Sequence, residues 1–130
     1  MDKNKQRNQI TIFISGKISG EDYNECKKKF DKVKRIAKDR YPDAAILSPL
    51  DIDLRNVTWD EAMYVTDSMI VVSDMVIFLP DWRRSRGAKE EMYRATNQLS
   101  GKQILILTED DELRQQNEED ISYVFKCCRS

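Results

Sequence analysis

Apolar positions along this chain switch repeatedly between a period of two and a period near 3.6. Residues 9–15, QITIFIS, are β-branched and apolar and stop at Gly16, the pattern of a strand. Cys26, Phe30, Val33, Ala37 and Tyr41 then recur three and four residues apart, which predicts a helix with one buried stripe that runs to about Arg40. Ser19 with Asp22 approximates a capping box at its start, and Tyr41-Pro42-Asp43 stops it. A short strand over 44–47 leads through Ser48-Pro49 into a polar loop. Thr58 and Glu61 form a second capping box, opening a helix to about residue 71 in which Trp59, Met63, Thr66 and Ile70 share a face. Residues 75–79, MVIFL, are an almost pure apolar run, as expected of a strand covered on both sides. A helix over 87–99 ends at Ser100-Gly101, residues 103–107 form the last strand, and 111–126 read as a terminal helix.

This alternation of strands and helices implies an α/β fold, a mostly parallel sheet of four to five strands with helices on both faces. At 130 residues the chain is sized for one domain over 9–130, behind a loose tail at 1–8. Charged residues make up 35% of the chain, yet the net charge is −1, so no basic surface argues for nucleic acid. No apolar run approaches the roughly 18 residues of a membrane span, and the polar start MDKNKQRNQ lacks a signal region; a cytoplasmic protein with no membrane partner is expected. The three cysteines, Cys26 and the adjacent Cys127 and Cys128, have no metal or disulfide spacing and read as reduced thiols. Histidine is absent, which excludes Ser–His–Asp and Cys–His systems and removes the commonest metal ligand. Acid–base work must fall to carboxylates, Tyr, Lys or Cys, and no metal or cofactor is expected.

Loops at the C-terminal ends of parallel strands are where such folds bind ligands. The first, residues 15–20 (SGKISG), offers small Ser15 and Gly16 and a cation at Lys17, although an ordinary capped βα turn has the same composition. The second candidate is Asp74, whose place at the start of a strand argues for the far edge of the sheet; Asp67 reads as a solvated-face carboxylate. The third is the run 78–91, FLPDWRRSRGAKEE, with Trp82 as a flat apolar surface, Ser85 as a hydroxyl, Arg86 as a cation and Gly87 keeping the helix start open. Of Glu90 and Glu91 one can face a crevice, because neighbouring helical positions diverge by about 100°. Glu91 borders the stripe Ala88, Met92, Ala95 and Leu99, and Glu90 does not.

The segments TIFISGKISG and SDMVIFLPDWRRSRGAKEE, with Trp59, Met63 and Asp67 between them, resemble the DUF4406 group over roughly residues 10–107. More distantly they resemble nucleoside 2-deoxyribosyltransferases and deoxynucleoside-monophosphate N-glycosidases. The resemblance implies a flavodoxin-like three-layer sandwich used as a homodimer or higher oligomer. It also implies a nucleotide or nucleoside ligand and a glutamate four residues after a glycine that attacks C1′ of the sugar, here Glu91 after Gly87. By the same likeness Asp74 assists the departing base, and Ser85, with Lys17 and Arg86, tilts the reading toward a 5′-phosphorylated substrate. Two positions depart from the pattern: Phe13 stands where the transferases place a tyrosine on the nucleophile, and Asp81 where DUF4406 chains usually have glycine. The expected activity is cleavage or exchange of an N-glycosidic bond. The rival expectations are a non-catalytic nucleotide-binding module and a small assembly partner with a vestigial crevice.

Overall fold

The structure, a computed structural model, describes residues 9–99 and 101–128; the expected tail at 1–8 and the Ser100 part of the expected helix stop lie outside them. Five strands form one sheet: β1 Thr11–Ser15, β2 Ala45–Leu47, β3 Met75–Phe78, β4 Gln103–Leu107 and β5 Leu113–Gln115. Four helices accompany them: α1 Tyr23–Arg40, α2 Trp59–Val71, α3 Arg86–Asn97 and α4 Glu118–Cys128. The spatial order is β2-β1-β3-β4-β5, parallel except for the antiparallel β4–β5 pair. This is a flavodoxin-like α/β fold. No helix among the described residues is long and apolar enough to cross a membrane.

Strand alternation sorts the core into two layers. Ile12 and Ile14 of β1, Met75 and Ile77 of β3, and Leu105 and Leu107 of β4 pack with Cys26, Phe30, Val33 and Ala37 of α1. Phe13, Val76, Phe78, Ile104 and Ile106 face the other way, onto Ile70 of α2, Ala88, Met92 and Ala95 of α3, and Val124 of α4. Ser15 lies two residues after Phe13 and so points to the α2–α3 side. That parity matters for the site.

The helices begin where their capping chemistry puts them. Asp22 itself caps α1, accepting from the Glu25 N–H at 3.0 Å, so Ser19 is not needed there. Thr58 and Glu61 cap α2 reciprocally, as expected. The C-terminal region differs from the expected helix over 111–126. The polar run after β4 is a hairpin turn, with the Thr108 hydroxyl accepting from the N–H groups of Asp110 and Glu112 and Asp111 at φ 64°. Strand β5 follows, and α4 starts only after Asn117, which accepts from the Asp120 N–H while Asp120 accepts from its own. Asp120 is fully buried and also receives Arg114 and Arg83, which ties α4 to β5 and to the β3–α3 loop.

Candidate active site

From β1 the chain crosses to β2 on one side, and from β3 to β4 on the other. The C-terminal ends of the adjacent strands β1 and β3, where Ser15 pairs with Phe78, therefore form the switch point of the sheet. A cavity of ≈ 360 Å³ opens there, within the range of small-molecule sites. Its lining comes from the β1–α1 loop (Gly16, Ile18, Ser19), the β2–α2 loop and α2 (Leu50, Ile52, Leu54, Val57, Trp59, Met63, Thr66), and the start of α3 (Ser85, Gly87, Ala88, Glu91).

Glu91 sits on the second turn of α3, 6% exposed, and its Oε1 accepts from the Ser15 Oγ at 2.6 Å. Strand parity and helix register together bring these groups into contact across 76 positions of sequence. Burial pushes the Glu91 carboxyl up from the ordinary 4.5 to about 7, against the opposing pull of the Ser15 hydrogen bond and of the nearby Thr66 hydroxyl, which itself donates to the Met63 carbonyl at 3.3 Å; the negative Asp67 adds to the rise and Arg94 opposes it. Asp67 is half-buried, its Oδ1 shielded from solvent and 3.0 Å from Arg94 Nη1, and close enough to Glu91 for its charge to act on the acid. An acid that titrates near neutrality inside an apolar cavity can serve as nucleophile, base or hydrogen-bond donor.

Several expected residues converge on the cavity. Ser85 caps α3, accepting from the Ala88 N–H at 3.0 Å, and lines the wall with Gly87. Gly16 also lines it, and no side chain fits there: an added Cβ would meet the Leu79 Cδ2 at 2.8 Å. Phe13 is core, and the hydroxyl that reaches Glu91 comes from Ser15 on the same strand face.

Four of the expected residues lie away from the cavity lining. Asp74 lies at the N-terminal edge of the sheet, its Oδ2 accepting from the Thr11 N–H at 2.9 Å; the four residues from Thr11 to Ser15 put it about 13 Å along the strand from the site. Trp82 is 2% exposed and packs edge-on against Phe78 and Tyr123, because the short 3₁₀ turn at Trp82–Arg84 tucks its ring beneath α4. Lys17 does not reach the cavity: its Nζ donates to the Ser19 carbonyl at 2.6 Å and its N–H to Asp81 Oδ1 at 3.1 Å. Arg86 lies outside the wall, its guanidinium 3.7 Å over the ring of Trp59. Asp81 is structural, joining the β1–α1 and β3–α3 loops through the Lys17 N–H and a 2.7 Å ion pair to Lys29.

Sequence reasoning missed the outer wall. Leu50, Ile52 and Leu54 alternate with aspartates in a segment that reads as polar, and that alternation was the available signal. Arg55 and Tyr23 complete the mouth, the guanidinium 4.5 Å over the phenol ring and doubly bonded to Asp53. Among the described residues no group of three or more Cys, Asp or Glu side chains is placed to hold a metal ion.

The fold and the cavity define a flavodoxin-like α/β domain with a buried acid at the switch point of its sheet. Residues 10–106 match DUF4406, a domain of unknown function, and the chain belongs to that family. No curated protein and no solved structure matches it.

Proposed function

We propose that this protein cleaves or exchanges the N-glycosidic bond of a nucleoside or nucleoside 5′-monophosphate through a glycosyl ester on Glu91. The observation that carries the reading is Glu91 itself: buried, oriented by Ser15, and facing a cavity whose wall is otherwise mostly apolar. The resemblance of the sequence to nucleoside 2-deoxyribosyltransferases and monophosphate N-glycosidases, which would put Glu91, four residues after Gly87, in the place of their glutamate, supports the same role. In the first step a carboxylate oxygen bonds to C1′ as the C1′–N bond breaks, and the base leaves with the electron pair and takes a proton from water. In the second step water opens the ester, restoring the carboxylate and releasing the sugar and a proton; a second base in place of water gives exchange. Ser15 holds the attacking carboxylate and stabilises its charged form. This reading gives Asp74 no part in the step, since it bonds the Thr11 N–H at the far edge of the sheet. Of the three groups that the resemblance ties to a 5′-phosphate, Ser85 faces the cavity while Lys17 and Arg86 are engaged elsewhere, which weighs toward the unphosphorylated nucleoside.

The raised pKa of Glu91 also supports a second reading, a binding module in which the protonated carboxyl donates a hydrogen bond to the sugar and no bond is cleaved. Chromatography of free bases released from a panel of nucleosides and their 5′-monophosphates separates the two. Glycosidic cleavage gives base release that Glu91→Gln abolishes. Thermal stabilisation by nucleosides with no base released, and none transferred to an added acceptor base, would overturn the enzyme reading and favour the module.

A further inference from the structure

The inner wall of the cavity is a ladder of paired side chains from α2 and α3. Trp59, Met63 and Thr66 stand at i, i+4 and i+7 on one face of α2. Met63 approaches Gly87, where an added Cβ would sit 3.4 Å from its sulfur, and Thr66 and Glu91 both line the cavity. The seven residues from Trp59 to Thr66 span about 10 Å along α2, so this helix lines the cavity over two turns, with Glu91 of α3 in the same lining. Arg86 lies 3.7 Å over the indole ring but does not line the cavity, so Trp59 meets the cavity with surface that the guanidinium leaves uncovered.

From this geometry we infer that Trp59 is the stacking platform for a planar heteroaromatic ring, the nucleobase of the substrate, and that Arg86 positions it. The inference rests on the reading of this cavity as a nucleoside site. The cavity wall is mostly apolar, and Arg55 is paired with Asp53, so the wall grips a π-face rather than reading a base edge. Such a surface accepts different bases with similar affinity, because every base presents a π-face. Arg86 acts through Trp59: its cation over the electron-rich face fixes the ring's plane.

The chain has two tryptophans, and Trp82 is buried in the core beneath α4, which makes intrinsic fluorescence a report on this site. Nucleosides added to the wild-type protein should quench its emission, while ribose 5-phosphate, which lacks a heteroaromatic base, should leave it unchanged. Trp59→Phe retains a stacking surface and keeps Trp82 as its sole tryptophan: it should bind nucleosides within about threefold of wild type by calorimetry, with no quenching. Trp59→Ala should bind roughly 5- to 150-fold more weakly, the range of a lost base–aromatic stack. Emission unaffected by nucleosides, or quenching that persists in Trp59→Phe, would overturn the assignment. Base release measured on the same samples keeps the two claims separate. Release without an emission change removes the platform and leaves the glycosidase, and an emission change without release does the reverse.

Discussion

Replacing Glu91 by glutamine removes a charge from the core without changing the shape of the side chain, and the amide oxygen can still accept from Ser15. In the folded protein the Glu91 carboxyl stands at about 7 rather than the ordinary 4.5, because burial disfavours its charged form. A carboxyl raised on folding binds more protons in the folded state than in the unfolded state between those two values. The wild-type protein therefore loses stability as pH rises from 4.5 to about 7, and the loss is complete above that. At about 1.36 kcal/mol for each pH unit of the gap, the full cost is about 3 kcal/mol, of which about 1 kcal/mol is already felt near pH 5. Glutamine carries none of it. Urea titrations of both proteins at about pH 5 and about pH 8 should show the advantage of Glu91→Gln growing by about 2 kcal/mol between them. An advantage that is the same at both pH values would refute the claim that a buried, ionisable Glu91 destabilises the fold.

Other perturbations probe neighbouring parts of the account. Ser15→Ala removes a donor that favours the charged carboxylate; because a nucleophilic Glu91 must be ionised, base release should rise with pH to a plateau, with a midpoint near 7 in wild type and higher in this variant. An unmoved midpoint in the pH–rate profile would count against Ser15. Gly16→Ala forces a Cβ to within 2.8 Å of Leu79 and should cost about 1–3 kcal/mol in urea unfolding, whereas a neutral result would show that the β1–α1 loop yields. Asp120→Asn weakens bonds to Arg83 and Arg114 in a fully buried setting and should cost about 1.5–3 kcal/mol at neutral pH. Asp120 is held below the ordinary 3.8 by net contributions from its arginine and backbone partners despite burial, so its contribution persists above 3.8 and disappears as pH falls through the folded value; the difference between the two proteins should shrink in acid.

Much of the fold was legible because strands and helices here follow strong local rules. The run MVIFL, the Thr58–Glu61 box and the α1 stripe are decided by neighbours in sequence, and each is seen. The three-residue β5 carries Arg114 at its centre and pairs only because the Thr108 turn folds it back on β4, so periodicity gave no sign of it. Glu91 could be singled out from its helical phase beside Ala88 and Met92. Its partner Ser15 could be named as a loop residue, but the bond between them depends on strand parity and the approach of α3. Asp74 shows the converse: its place at the start of β3 already argued for the far edge, and the structure agrees with that geometry rather than with the resemblance. Trp82 and Trp59 are both flat apolar residues next to charged neighbours. Which one meets the cavity is settled by where α4 packs, and no local pattern reports that.

The most direct measurement is mass spectrometry of the protein quenched in acid during incubation with 2′-deoxynucleosides, followed by peptide mapping. The account expects a deoxyribosyl adduct on the peptide that contains Glu91, present during turnover and absent from Glu91→Gln. Base release at full rate with no adduct on that peptide, and the same rate in Glu91→Gln, would contradict it.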